Sequence, residues 1–93
     1  MEISISEYLK LDPTHLIDIR SYEKYQRNHI PSAISIDYRR ILSHPEQYLN
    51  KKETYYFYCD TGFHSKILVQ RLNQMGYSAI SISGGFKNYL LRK

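Results

Sequence analysis

Short apolar runs and amphipathic stretches alternate along the 93-residue chain. Runs rich in β-branched and aromatic residues predict strands, and they lie at EISI, HLIDI, SAISI, TYYFYC and YSAISIS. Apolar residues three or four positions apart predict helices or helical turns between these runs, at SEYLKL, SYEKYQRNHIP, YRRILSHPEQYL, SKILVQRLNQM and residues 86–91. We expect Ser6 and Ser21 to cap the first two helices, Pro45 to divide the third and Gly76 to end the fourth.

This alternation predicts an α/β fold with a central, mostly parallel β-sheet flanked by helices on both faces, a three-layer arrangement. Sites in such sheets form at the C-terminal ends of the strands. We expect two polar clusters at that edge: Asp18 with Arg20 after HLIDI, and Cys59 as the last residue of the TYYFYC strand. The length is near the lower end of common domain sizes, which predicts one domain over residues 1–93.

Composition narrows the cellular setting and the classes of partner. A single cysteine excludes an internal disulfide and a multi-thiolate metal site, and it fits a reducing compartment. The early acidic residue and the lack of a long apolar run argue against a signal peptide and a membrane span. We therefore expect a cytoplasmic protein. The net charge of +4 includes the clusters YRR and NKK, which we interpret as solvated surface rather than a nucleic-acid patch, although they can attract small anions.

The segment YYFYCDTGFHSKI places that one thiol where a strand stops and a tight turn begins. Gly62 permits the dihedral angles that such a turn requires. The turn can direct backbone N–H groups towards the Cys59 sulfur, and the helix that begins near Ser65 adds its unpaired N-terminal donors. Such a cradle favours a nucleophilic thiolate. The alternative is a buried structural cysteine.

Three ordered motifs resemble the single-domain rhodanese, or sulfurtransferase, family. LIDIRSYEKYQRNHIPSAISI resembles the first signature, in which a strand ending in Asp-x-Arg leads to a helix and a Gly-His-Ile-Pro-Gly-Ala type turn. YYFYCDTGFHS resembles the active-site strand and loop, and LNQMGYSAISISGGFKNY resembles the end of the domain. The resemblance covers nearly the whole chain and implies the rhodanese-like three-layer fold.

The resemblance implies transfer of a sulfane sulfur, from thiosulfate or a persulfide to a thiophilic acceptor, through a persulfide on Cys59. It implies no metal and no organic cofactor, and the partner is a small sulfur-donor anion, a persulfide, or a protein donor or acceptor. Asp18 and Arg20 have ordering roles in this comparison. The implied substrate-binding loop consists of Asp60, Thr61, Gly62, Phe63, His64 and Ser65.

The departures from the family pattern leave other functions open. Asp60 and His64 stand where many active members carry arginines, and Asn28 and Ser32 stand where glycine is frequent. The charge of Asp60 is expected to repel anionic donors and to make thiosulfate a poor one. A non-catalytic or persulfide-carrying module that binds a protein partner is therefore an alternative. A cysteine phosphatase is disfavoured, because it needs a longer loop that ends in arginine.

Overall fold

Strands and helices alternate along the chain as the hydrophobic pattern predicts. The computed structural model describes residues 1–12 and 15–92, and within these ranges the elements follow in the order β1 (Glu2–Ile3), α1 (Ile5–Tyr8), β2 (His15–Asp18), α2 (Tyr22–Arg27), β3 (Ile34–Ser35), α3 (Tyr38–Ser43), a 3-10 helix (Pro45–Gln47), β4 (Thr54–Tyr58), α4 (Phe63–Gln74), β5 (Ser78–Ile82) and α5 (Gly85–Leu91).

The five described strands form one sheet in the order β1-β5-β4-β2-β3. Every pair of neighbours is parallel; for example, Phe57 of β4 pairs with Ile17 of β2 on one side and with Ser81 of β5 on the other. The central strand is β4, whose β-branched and aromatic residues gave the strongest strand signal. The predicted α/β class and the parallel sheet are confirmed.

Two apolar cores cover the two faces of the sheet. Because side chains alternate along a strand, Phe57 and Cys59 point to one face, where they pack with Leu68 and Leu72 of α4. Tyr58 points to the other face and packs with Phe86 of α5. Helices α3 and α4 therefore lie on the first face, whereas α1 and α5 cover the second, which confirms the three layers.

The first helix begins earlier than the sequence suggested. Ser4, not Ser6, is the N-cap residue of α1, and its side chain accepts a hydrogen bond from the Glu7 amide. The Glu7 carboxylate in turn accepts from the Ser4 backbone N–H, which completes a capping box. This reciprocal pair explains why Ser4 rather than Ser6 is the cap, since a capping box requires a glutamate three residues after the cap and Glu7 stands at that distance from Ser4. The predicted cap at Ser21 is confirmed.

The turn between β4 and α4 is shorter than the sequence suggested. Strand β4 ends at Tyr58, so Cys59 follows the strand instead of closing it. Helix α4 begins at Phe63, two residues before the expected start at Ser65, because Gly62 adopts a left-handed φ of 94° and brings the chain directly into the helix. The first helical turn therefore belongs to the site.

Two further features of the described residues bear on function. Pro45 separates α3 from the 3-10 helix, and Gly76 follows the end of α4 with a φ of 96°, both as predicted. In the described part of the chain, no helix combines the length and the apolar character needed to cross a bilayer.

Candidate functional site

The Cys59 sulfur lies at the C-terminal end of the central strand and is held by the turn that follows. The residue is 5% exposed. The Gly62 amide donates a hydrogen bond to Sγ at 3.1 Å, and the thiol lies 3.7 Å from the Ser65 Oγ, to which it donates. These contacts fix the position of the thiol beneath the cavity described below.

A buried pair of hydroxyl groups supports the sulfur from behind. The Ser65 Oγ lies 2.7 Å from the Ser81 Oγ of β5 and donates to the Gly62 carbonyl at 3.3 Å. Both serines are fully buried. Sequence reasoning named Ser65 but missed Ser81. The available signal was a small polar residue inside a predicted strand, since a buried hydroxyl requires a partner.

The turn is also fixed by the start of α5. The Phe86 amide donates to the Cys59 carbonyl at 2.8 Å, and the Lys87 amide donates to the Asp60 carbonyl at 2.9 Å. This contact leaves no room for a side chain at Gly85, where a Cβ atom would lie 2.3 Å from the Cys59 carbonyl oxygen. The Gly84-Gly85 pair noted in the sequence therefore serves the site, because it allows α5 to approach the turn closely.

The N-terminus of α4 presents backbone N–H donors for which the described residues supply no acceptor. No side chain caps this 12-residue helix, and the first N–H groups of any α-helix lack intrahelical acceptors. The amides of Phe63, His64 and Ser65 occupy these positions, directly after the turn that holds the sulfur. Their partial positive charge favours an anion at this end of the helix.

A cavity of about 630 Å³ opens over the thiol. Its lining contains the predicted site residues Cys59, Asp60, Thr61, Phe63, His64 and Arg20. Gly62 and Ser65 are buried and contact the sulfur from the protein side. Phe63 is 65% exposed at the cavity, and the His64 ring lies edge-on to Phe63 and to Tyr38 of α3. One side of the cavity is therefore aromatic.

Asp18 and Arg20 form a buried ion pair beside this cavity. The Arg20 Nη2 lies 2.7 Å from Asp18 Oδ2, and the Arg20 Nε and backbone N–H also donate to the carboxylate. Burial is the largest single influence and disfavours the guanidinium charge, but the hydrogen bond to Asp18 and the attraction of nearby negative charges, chiefly that of Asp18, together outweigh it and raise the pKa of Arg20. Asp18 does not line the cavity and reaches it only through Arg20, which agrees with an ordering role.

Tyr58 links this ion pair to the strand that carries the thiol. Its hydroxyl donates to Asp18 Oδ2 at 2.7 Å and accepts from the Ile30 amide at 3.0 Å. Burial, together with the hydrogen bond to Asp18, raises the pKa of Tyr58 above the ordinary tyrosine value. Sequence reasoning did not single out this tyrosine. No local pattern marks it, because its partners lie 28 and 40 residues away.

Asp60 carries two cationic partners that the sequence did not indicate. Its carboxylate lies 2.6 Å from the Lys24 Nζ of α2 and 3.6 Å from the Arg20 Nη1. The prediction that Asp60 repels anionic donors did not include these two cations, and it stays a prediction. The pair with Lys24 is about half-exposed, so solvent screens it, but the Lys24 charge is opposite in sign to that of Asp60 and opposes its field at the thiol.

Arg39 of α3 is a further cation at the cavity that sequence reasoning did not assign. It lines the space above Cys59, and its side chain makes no ion pair or hydrogen bond with any described residue. Within residues 1–12 and 15–92, no three histidine, cysteine, aspartate or glutamate side chains lie close enough together to hold a metal ion.

Comparison with known proteins agrees with the motifs. The sequence model of the rhodanese-like domain matches residues 4–92. The chain is 31% identical over 80 residues to the thiosulfate sulfurtransferase PspE of Escherichia coli (strain K12), covering 85% of this chain and 77% of PspE. SSP1007 from Staphylococcus saprophyticus has a TM-score of 0.85 at 30% identity, covering 95% and 91% of the two chains. A rhodanese-like domain protein from Staphylococcus aureus has a TM-score of 0.80 at 27% identity, covering 95% and 89%.

Proposed function

This chain belongs to the rhodanese-like family, and from that premise we propose that it is a sulfurtransferase that carries a sulfane sulfur as a persulfide on Cys59. The observation that carries the proposal is the Gly62 N–H at 3.1 Å from the sulfur, next to the uncapped start of α4. These groups together form an anion cradle around the only thiol in the chain. PspE, a relative, is named a thiosulfate sulfurtransferase.

In the first half-reaction the Cys59 thiolate attacks the sulfane sulfur of the donor. With thiosulfate, the sulfur–sulfur bond breaks, sulfite leaves with the bonding electron pair, and the sulfur remains as a Cys59 persulfide anion. No oxidant is needed, because the donor already contains sulfur in the sulfane state. The covalent intermediate divides the transfer into two displacements, and neither requires a metal.

The new outer sulfur needs donors of its own. In this proposal it lies towards the α4 N-terminus, where the amides of Phe63, His64 and Ser65 have no intrahelical acceptor. Its negative charge is favoured there by the helix dipole. In the second half-reaction an acceptor such as cyanide attacks this outer sulfur, the sulfur–sulfur bond breaks, thiocyanate leaves and the Cys59 thiolate is restored.

The charges at the cavity support an anionic donor. Lys24 offsets Asp60, and Arg39 faces the cavity without a partner among the described residues. Thiosulfate is therefore an acceptable donor in this proposal, despite the aspartate in the loop. A cytoplasmic location stays a prediction from the sequence.

The intact mass of the protein tests the proposal directly. After incubation with thiosulfate, and separately with a low-molecular-weight persulfide, the chain should gain the mass of one sulfur atom. Cyanide should then remove it and release thiocyanate. The Cys59→Ser variant should gain nothing and should keep the wild-type circular dichroism spectrum. Absence of the added sulfur with both donors would sink the sulfurtransferase proposal.

An alternative is a persulfide-carrying or non-catalytic module that acts on a bound protein. Its supporting observation is Phe63, a large apolar side chain exposed at the cavity above the thiol. A carrier would gain the sulfur but would pass it slowly to cyanide and to small thiols. Comparison of loading and discharge rates therefore separates a carrier from an enzyme.

A further inference from the structure

A second cavity adjoins the one that holds the thiol. Its volume is about 400 Å³, and it lies between the start of α2, the chain after β3, and α3. Arg20 and Asp37 line both cavities, so the two share a wall. Small-molecule sites in proteins have volumes of this order. The pair can therefore hold a ligand that is larger than thiosulfate.

The second cavity contains one cation with no assigned use. Arg40 lines it, and the Arg40 side chain makes no ion pair or hydrogen bond with any described residue. The other arginine of this cavity, Arg20, is already held by Asp18. Tyr22 and Tyr48 also line the space and bring aromatic surface to it. Arg40 is therefore the group that an anionic ligand would find available.

The shared wall limits the charge of such a ligand. One oxygen of Asp37, Oδ1, accepts from the Arg39 amide at 2.7 Å, and the carboxylate remains at the junction of the two cavities. A compact dianion placed there would meet this negative charge. A ligand that crosses the junction with a neutral chain and directs a carboxylate to Arg40 would avoid this repulsion.

We propose that the second cavity binds the carboxylate end of an organic persulfide, with Arg40 as the anchor and the persulfide sulfur directed to Cys59. The inference rests on the sulfurtransferase function and names a donor class for it. A guanidinium matches a carboxylate with two parallel hydrogen bonds. This remote contact would hold the donor equally in the ground state and in the transition state, so it would lower the donor concentration needed for loading and leave the maximal rate unchanged.

The transfer from such a donor balances without a co-reactant. The Cys59 thiolate attacks the outer sulfur of R–S–SH, the sulfur–sulfur bond breaks, and R–S⁻ leaves with the electron pair. The outer sulfur and its proton stay on Cys59. The carboxylate of R keeps its contact with Arg40 until the thiolate departs.

Two donors of similar shape test the anchor. The persulfide of glutathione carries carboxylates, whereas the persulfide of its diethyl ester does not. The rate of sulfur loading onto Cys59, measured against donor concentration, gives the concentration for half-maximal loading and the maximal rate. Arg40→Gln should raise the half-maximal concentration of the glutathione donor about tenfold and leave its maximal rate unchanged. The ester donor should load wild type and variant alike.

A matched control and a binding measurement complete the test. Arg27→Gln removes an exposed arginine that lines neither cavity, and it should leave the loading rates with both donors unchanged. In the Cys59→Ser background, S-methylglutathione should bind by calorimetry and should bind about tenfold more weakly when Arg40→Gln is added.

The outcomes separate this inference from the proposed function. If wild type loads sulfur while Arg40→Gln affects both donors equally or neither, the inference is overturned and the sulfurtransferase proposal stands. If no donor loads Cys59 but S-methylglutathione binds through Arg40, the site stands and the reaction does not. If S-methylglutathione does not bind, or binds without regard to Arg40, no carboxylate site exists there.

Discussion

The charge pair between Asp60 and Lys24 sets the electric field at the thiol, and the structure predicts the sign of each substitution. Asp60→Asn removes a negative charge from the residue next to Cys59 and frees Lys24, which lay 2.6 Å away. Lys24→Met leaves the Asp60 carboxylate with Arg20 alone, at 3.6 Å. The first change should attract anions to the thiol, and the second should repel them. The double variant should resemble wild type.

The magnitude follows from Coulomb's law. For a unit charge about 8 Å from the incoming anion, at an effective dielectric constant of about 40, the interaction is on the order of 1 kcal/mol. This corresponds to about a fivefold change in rate at low salt. At physiological ionic strength the Debye length is about 8 Å, so the change should shrink to about twofold. The effect of Lys24→Met should be somewhat smaller, since its side chain is half-exposed.

Alkylation of the thiol measures this field without any sulfur transfer. Iodoacetate and iodoacetamide are similar in size and react with the same thiolate, so the ratio of their rate constants cancels changes in thiol reactivity. Cys59 is the only cysteine in the chain, so every adduct reports on the site. The iodoacetate-to-iodoacetamide ratio should rise for Asp60→Asn, fall for Lys24→Met, and converge with wild type as salt is added.

Glu53→Gln is the matched control, because it makes the same change in net charge at the other end of β4. Glu53 precedes the strand whose last residue is Tyr58, which places it roughly 20 Å from the thiol at the usual rise per residue. The iodoacetate-to-iodoacetamide ratio of Glu53→Gln should equal that of wild type at 0.1 M salt. If Asp60→Asn and Lys24→Met shift the ratio in the same direction, or leave it unchanged at low salt, the account of the field is refuted.

Three further substitutions test the frame around the site. Tyr58→Phe removes the hydroxyl that the Asp18 carboxylate and the Ile30 amide share, and it should lower the free energy of unfolding in urea by about 2 to 4 kcal/mol. The control is Tyr56→Phe, which should lower it little, because the Tyr56 hydroxyl has no hydrogen bond in the described structure. Because the pKa of Tyr58 is raised in the folded state, wild-type stability should fall above about pH 10, where unfolded chains ionise and folded ones do not; the fall should be shallower in Tyr58→Phe. Ser32 has a left-handed φ of 73°, so Ser32→Gly should raise the free energy of unfolding by about 1 kcal/mol, measured as a higher melting temperature. An unchanged or lower melting temperature would argue against backbone strain at Ser32. Gly85→Ala places a Cβ atom 2.3 Å from the Cys59 carbonyl oxygen and should slow sulfur loading roughly tenfold or more, so wild-type loading would show that the contact yields freely.

The fold could be predicted because its signals are local. The β-branched and aromatic run of β4 and the helical stripe of α4 each identify an element within a few residues. The wrong predictions concern the starts of helices, where a single residue can decide the position at which the helix begins. Ser4 displaced Ser6 as a cap through its exchange with Glu7, and Gly62 started α4 two residues early. The first result follows from hydrogen bonds and the second from a left-handed backbone conformation, and the period of the apolar residues indicates neither.

The site was predictable only where chemistry and sequence neighbours coincide. The thiol and its turn lie within one short segment, so composition and spacing identified them. Lys24, Arg39 and Ser81 come from other elements, and each reaches the site only after the sheet is assembled. The ordering of β5 beside β4 brings Ser81 behind the sulfur, and the packing of α2 against the loop gives Asp60 its cation. A list of residue types cannot supply these distances.

The end of β4 is held from both faces, and these contacts fix the position of the Cys59 thiol. On one face the Tyr58 hydroxyl is tied to Asp18 and Ile30, and on the other the Cys59 sulfur contacts Gly62 and Ser65. The Cys59 carbonyl is bonded to the start of α5. The backbone and the side chain of Cys59 are both engaged, and the residue is 5% exposed. If the chain is a sulfurtransferase as proposed, a donor or acceptor has to reach the thiol through the cavity above it, and we expect a protein partner to present its reactive sulfur on an extended or protruding segment.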